Sequence, residues 1–325
     1  MRILFAGSSK IACPSLAALV DLQLKTDLCE VAGILTNPDT AKGRHAHATP
    51  SALSEGATLL SERLHAAKKP PILQFKYAQL GKAETERLHT VCRYDILISF
   101  AYGKFFPPEF LARFPLGGIN IHPSLLPKYR GPSPIQAAIL NGDTETGITL
   151  QRLAGLIDTG AILAQESFPL KGDETGGTLA AFVAERAAGM VCRWVADRAG
   201  NRVCERAQNE AEASYCEKSN HASRKIDWAR SARAVDAHIR AYAPDELCWT
   251  WHGKRVLSVL EGSALNGILG KTPGAVVGVD KDHGILIQCG DGIYAARVLQ
   301  YQAKKALDFR SFLNGAKKFI GTQLG

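Results

Sequence analysis

Short runs of apolar, often β-branched residues alternate with helix-period patterns along the first 200 residues. Arg2–Ala6 predicts a strand and Ile11–Leu22 a helix. Glu30–Thr36 (EVAGILT) predicts a second strand that stops at Asn37-Pro38. Residues 39–55 are polar and rich in Ala, His and Thr, which predicts a long loop. A loop of that length inside a compact domain is usually functional or mobile. Asp95–Phe100 (DILISF) predicts a strand, Pro107–Phe114 a short helix, and Gly118–His122 (GINIH) another strand. Pro132–Leu140 predicts a helix with proline near its start, a position that tolerates a missing N–H. Ile148–Leu153 and Ala161–Leu170 predict strands, and Thr178–Ala199 a long helix. This alternation predicts an α/β fold, a doubly wound and mostly parallel sheet with right-handed crossovers. Ligands of such sheets collect at the carboxyl ends of the strands.

Near Gly200–His221 the apolar pattern fails and Asn, Glu, Gln, Arg and Ser dominate, which predicts a linker. Beyond it Ser231–Tyr242 is helical. Leu247–Leu260, Gly274–Val279, Gly284–Cys289 and Gly292–Tyr301 follow as strands with Gly/Asp turns between them, the pattern of a small β-barrel. The expected division is a first domain over residues 1–205, a linker over 206–221 and a second, smaller domain over 222–325.

Composition agrees with a two-domain globular protein: 325 residues, 46% hydrophobic and 22% charged. No apolar run approaches the ~20 residues of a membrane helix, and the short start Met1–Gly7 does not read as a signal peptide. A cytoplasmic protein with no membrane association is expected. The eight cysteines, Cys13, Cys29, Cys92, Cys192, Cys204, Cys216, Cys248 and Cys289, form no C-x-x-C pair. They read as reduced thiols, and no metal site is expected. The net charge of +8 is uneven. Residues 221–325 hold 15 Lys+Arg against 9 Asp+Glu, so the second domain carries most of the excess. A basic domain beside a near-neutral one suits a polyanionic partner, although solubility charge would look the same.

The densest candidate chemistry is Gly118–Pro127 (GINIHPSLLP). Side chains alternate across a strand, so Asn120 and His122 share a face while Ile119 and Ile121 point the other way. An amide can donate to a developing oxyanion, and an imidazole can accept or relay a proton near neutral pH. An isolated N-x-H is more often structural. Asp158-Thr159-Gly160 reads alone as a polar turn, but it could supply the carboxylate that amine acylation needs for the departing proton. Lys42 and Arg44, on the polar stretch, could pair with phosphates or simply be solvated. There is no Walker motif, H-E-x-x-H or G-x-S-x-G, and Gly7-Ser8-Ser9 lacks the full G-x-G-x-x-G pattern.

Taken in this order, Asn120-x-His122, Ser124-Leu125-Leu126-Pro127 and Asp158-Thr159-Gly160 resemble the 10-formyltetrahydrofolate-dependent formyltransferases. The flanking text is similar to the members that act on methionyl-tRNA. It comprises Phe100-Ala101-Tyr102-Gly103, Arg130-Gly131-Pro132-Ser133-Pro134-Ile135-Gln136 and Gly142-Asp143-x-Glu145-Thr146-Gly147. The resemblance runs from Met1 to about residue 240 and weakens beyond it. It implies a Rossmann-like catalytic domain followed by an OB-like, tRNA-binding barrel. It implies that Asn120, His122 and Asp158 are catalytic and that Ser124, Leu125, Leu126 and Pro127 bind folate. It also implies that Lys42 and Arg44, on the family's inserted loop, contact the tRNA acceptor end.

The implied reaction moves the formyl group of 10-formyltetrahydrofolate, a co-substrate, to the free amine of methionyl initiator tRNA. No metal is implied, and a monomer is expected. One departure stands out: Leu153-Ala154-Gly155-Leu156-Ile157 precedes Asp158, where the family usually has an acidic residue and a glycine nearer the aspartate. The alternatives are a formyltransferase for a different amine such as glycinamide ribonucleotide or an amino sugar, a folate hydrolase, and a non-catalytic RNA-binding protein of the same fold.

Overall fold

The computed structural model describes residues 1–41, 48–267 and 270–325. The chain divides into two compact units that are not contiguous in sequence. Residues 1–132, 147–168 and 180–216 form one, and residues 133–146, 169–179 and 217–325 form the other.

The strands β1 (Arg2–Ala6), β2 (Glu30–Thr36) and β6 (Ile96–Ser99) are almost wholly buried. Continuous burial of that kind is what parallel strands covered on both faces require. The first unit is built on a seven-stranded sheet in the order β5-β2-β1-β6-β7-β8-β9. Here β5 is Leu73–Lys76, β7 Gly118–His122, β8 Glu145–Arg152 and β9 Ile162–Pro169. The strands β5 to β7 pair in parallel, and β8 runs antiparallel to β7. Within the polar stretch two short strands, β3 (Thr40–Ala41) and β4 (Ala48–Thr49), pair antiparallel.

Helix α1 (Cys13–Lys25) starts at a proline and buries Leu16, Leu19 and Val20. Helix α2 (Ala52–Ala66) is capped by the Ser51 hydroxyl, which accepts from the Ser54 N–H at 3.1 Å. Helix α3 (Lys82–Val91) is opened by Glu84, whose carboxylate accepts from the Gly81 N–H at 3.0 Å. The sequence reading assigned none of α2, β5 and α3. Leu53, Ala57, Leu60 and Leu64 do carry a helical period, but a weak one, because Ser, Thr and Glu fill the rest of α2. The polar stretch read as a loop to residue 55 ends in the first turn of α2. The rings of Tyr102, Phe106 and Phe110 stack in series at 5.1 and 5.8 Å, and Phe114 meets Phe110 edge-on at 5.3 Å. Phe110 belongs to the short helix α4 (Pro108–Leu111). Helix α6 (Gly176–Ala199) buries Val183, Ala187, Met190, Val191 and Trp194 at helical spacing. Its Arg186 and Arg193 pair with Glu166 of β9.

Residues 206–216, expected as linker, are tied to this unit. Arg206 exchanges backbone hydrogen bonds with Ile162, and Arg130 and Cys216 bond through Arg130 O at 2.8 Å. Polar composition signalled a chain without a core of its own, and this segment instead satisfies its backbone on its neighbours.

The second unit contains α5 (Pro134–Leu140), α7 (Ala232–Tyr242) and an antiparallel sheet ordered β10-β11-β14-β13-β12. These strands are Cys248–His252, Arg255–Leu265, Ile293–Tyr301, Gly284–Gln288 and Val276–Asp280 in that order. The stretch read as one strand from Leu247 to Leu260 is a hairpin that reverses at Gly253, where φ is +59°. Segment 321–325 bonds to both edge strands and closes the sheet into the expected small barrel. Gly321 N–H donates to Val276 O at 2.8 Å and Gly325 N–H to Trp251 O at 3.1 Å. Trp228 anchors the interior, its Nε1 donating to Thr250 Oγ1 at 3.0 Å. β15 (Leu307–Asp308) and α8 (Phe309–Gly315) complete the unit. No described helix is long and apolar enough to cross a membrane.

Candidate functional site

Strand β7 is placed by its neighbours. Ile98 and Ser99 of β6 register against Ile119 and Asn120, and Gln151 and Thr149 of β8 against Asn120 and His122. Ile119 and Ile121 are fully buried, as alternation requires, and Asn120 and His122 point together from the other face at the carboxyl end. The sheet thus delivers an amide and an imidazole to the edge where doubly wound folds hold ligands.

Asp158 arrives from the turn between β8 and β9, in the left-handed region with φ of 56°. Aspartate is among the few non-glycine residues that tolerate this conformation. Its Oδ1 accepts from Gln151 Nε2 at 2.6 Å and from Asn120 Nδ2 at 3.4 Å. Its Oδ2 accepts from the Gly131 N–H at 2.8 Å and stands 3.5 Å from His122 Nδ1. Two glycines make this possible. A Cβ on Gly131, where φ is +115°, would lie 2.4 Å from Cys216 O. A Cβ on Gly160 would lie 1.9 Å from Arg152 O, so only glycine lets the D-T-G turn fold back on β8.

His122 is buried, and its Nε2 lies 2.9 Å from the Tyr129 carbonyl oxygen. Only a donor satisfies that carbonyl, so the neutral ring carries its proton on Nε2 and its lone pair on Nδ1. Burial pushes the imidazole pKa below its ordinary value, against the pull of the Asp158 carboxylate and the Tyr129 carbonyl. The neutral ring therefore presents one acceptor atom to another across 3.5 Å. One added proton turns that opposition into a charge-assisted hydrogen bond. The pair is built to receive a proton.

The sequence-predicted residues divide into groups. Asn120, His122 and Asp158 are brought together. The stretch from Ser124 to Pro127 follows His122 after Pro123 and is pinned to β8. Thr149 Oγ1 accepts from the Leu126 N–H at 3.1 Å and donates to Ser124 O at 2.7 Å. Ser124 and Leu126 are buried, and Leu125 lies against Gly147. Lys42 and Arg44 lie outside the described residues. Sequence reasoning passed over Gln151 and Gln208. Gln151 sits on a strand read only for its apolar face, and Gln208 lies in the segment read as linker. Among the described residues no three His, Cys, Asp or Glu side chains converge as a metal site would need.

A doubly wound sheet with an amide, an imidazole and a carboxylate at the end of its fifth parallel strand places the chain among α/β group-transfer proteins. The chain belongs to the formyl transferase family: the family model matches residues 1–195, and that of the formyl transferase C-terminal domain matches residues 218–317. The methionyl-tRNA formyltransferase of Treponema denticola is 40% identical over 326 residues, covering 98% of each chain. Among solved structures, HypX from Aquifex aeolicus is similar with a TM-score of 0.64 at 17% identity, covering 98% of this chain and 50% of that longer one. The N-formyltransferase from Helicobacter canadensis, solved with folinic acid and dTDP-3-aminofucose, is similar with a TM-score of 0.62 at 20% identity, covering 90% and 97%. At such identities the likeness is one of fold.

Proposed function

We infer that this chain transfers the formyl group of 10-formyltetrahydrofolate to the amine of methionyl initiator tRNA, giving N-formylmethionyl-tRNA for translation initiation. The observation that carries the reading is the proton-accepting pair His122 Nδ1 and Asp158 Oδ2, 3.5 Å apart beside the Asn120 amide. It occurs in a chain that matches a methionyl-tRNA formyltransferase over 98% of its length. In the transfer, the amine nitrogen bonds to the formyl carbon and the bond from that carbon to N10 of the folate breaks. The amine gives up one proton and N10 gains one. The Asn120 amide donates to the formyl oxygen as it becomes an oxyanion. The His122–Asp158 pair takes the amine proton and is positioned to return it to the leaving nitrogen. The residues fit a co-substrate that brings its own activated carbon, since the site needs only donors and a proton acceptor. We assign Ser124, Leu125, Leu126 and Pro127 to the folate side of this site, and Lys42 and Arg44 to the acceptor end of the tRNA.

The barrel unit supports a polyanionic substrate. Lys254 and Arg255 occupy the β10–β11 hairpin, and the Gln302 N–H donates to Val256 O, which brings Lys304 and Lys305 beside it. Lys317 and Lys318 immediately precede Phe319, whose ring lies 4.9 Å from that of His252. Six exposed cations thus surround one aromatic cluster of His252, Tyr301, Phe312 and Phe319, and Arg255 stacks on Tyr301 at 3.5 Å. None of the six joins an ion pair among the described residues, whereas Arg224 faces Glu246 at 3.7 Å.

Folate turnover measured with methionyl initiator tRNA, with an amino sugar nucleotide, with glycinamide ribonucleotide and with water alone separates this reading from its rivals. Turnover that requires the charged tRNA is expected. Equal turnover without it would assign the site to hydrolysis, and turnover with another amine would replace the acceptor.

A further inference from the structure

The turn that carries Asp158 has little packing of its own. Leu156 and Ile157, directly before it, are 73% and 67% exposed. A carboxylate on such a turn would wander unless something behind it held it. That support is a chain of side chains which the proposed chemistry does not use. Gln151, buried on β8, donates to Asp158 Oδ1 at 2.6 Å. Gln208 donates from Nε2 to the carbonyl oxygens of Asp158 and Gly160, both at 2.8 Å, and lies 3.4 Å from Gln151 Oε1.

The orientation of the Gln208 amide is not free. Its Oε1 accepts from Arg130 Nε at 3.0 Å and Nη2 at 2.8 Å, so its Nε2 must face the turn. The rest of the Arg130 guanidinium is spent on Glu210, at 2.8 and 2.6 Å, and on Tyr215 Oη at 3.1 Å. Arg130 is fully buried, and a planar fork with all its directions used cannot rotate. Residues 206–215 therefore act as a strap across the back of the site, and its rigidity reaches Asp158 through two glutamines.

We propose that Gln151 and Gln208 are positioning residues, held by Arg130, that fix the Asp158 carboxylate against His122. The proposal rests on the reading of Asp158 as proton acceptor. Among the described residues, the charged and titratable groups facing that carboxylate are His122 from β7 and, through Gln208, Arg130 with Glu210 from the strap. Hydrogen bonds to the charged form of a carboxylate lower its pKa, so removing one raises it. The pair then takes up its proton at higher pH, and the acid limb of the rate profile moves upward.

The test uses the full chain with Gln151→Leu, which removes the donor to Oδ1, and Gln208→Glu, which keeps an acceptor for Arg130 but cannot donate to the turn. Both should lower kcat by about 10- to 100-fold with KM for each substrate changed less than about threefold. In Gln151→Leu the acid limb should rise by about one pH unit. The ring of His122, followed by NMR titration without substrate, should show the pair's apparent pKa rising with it. That titration does not depend on the reaction assigned. If the wild type transfers no formyl group, the functional reading fails while the titration still judges the geometry. Unchanged kcat with an unchanged titration, or a loss confined to thermal stability in both variants, would overturn the proposal.

Discussion

Asn120 offers one amide hydrogen to Asp158 at the long distance of 3.4 Å, and no other protein acceptor for that amide is present among the described residues. Its value to the reaction lies with an oxygen that becomes negative only along the path. Asn120→Ala should therefore lower kcat by about 10²–10³ and leave KM for folate within a few-fold. Steady-state kinetics on a variant with unchanged melting temperature checks this, and near wild-type turnover would remove Asn120 from the mechanism. At this scale the sequence was informative wherever chemistry follows from alternation. Asn120 and His122 sit two apart on a strand, so their shared face was legible. Gln208 was not, because its partners lie 48 to 78 residues away and its own surroundings carry no pattern.

The turn between β8 and β9 converts a strand pair into a site, and its geometry depends on Gly160. A Cβ there would fall 1.9 Å from the Arg152 carbonyl oxygen, and backbone cannot move aside as a flexible side-chain tip could. Gly160→Ala should lower the unfolding free energy by about 2–4 kcal/mol and displace Asp158. Gly155→Ala in the same loop faces open space and should change stability by less than about 0.5 kcal/mol. Urea titrations of the two variants provide the comparison, and equal midpoints would show that the turn relaxes freely. The elements read most surely from sequence were the buried strands and the long helix α6, where the pattern is dense. The region of α2, β5 and α3 was missed because amphipathic surface helices rich in Ala, Ser, Thr and Glu carry only a thin apolar stripe. The reversal at Gly253 was missed because Trp251 and Val256 continue the apolar text on both sides of it.

For the molecule as a whole, the net charge of +8 matters through its placement. Phosphate contacts release condensed counterions, so each one lost makes the dependence of log K on log salt shallower by about 0.7–0.9. Replacing Lys254, Arg255, Lys304 and Lys305 together by Ala should weaken tRNA binding at low salt and flatten the slope by up to about three. Arg224→Ala, a cation already facing Glu246, should leave the slope unchanged. Filter-binding titrations over a range of salt would decide the matter. A quadruple variant with the wild-type slope would reduce these charges to solubility.

The sequence by itself determined the α/β class, the small barrel, the register of Asn120 and His122 and the uneven charge. Each of these follows from local periodicity or from counting. The tertiary structure decided how Asp158 meets His122 and which glycines permit the approach. It also decided that residues 206–216 brace the site rather than merely connect. Those features depend on contacts between residues far apart in the chain. Their polar side chains leave no periodic trace, because a buried hydrogen-bond network is specified by where partners meet and not by spacing along one strand or helix.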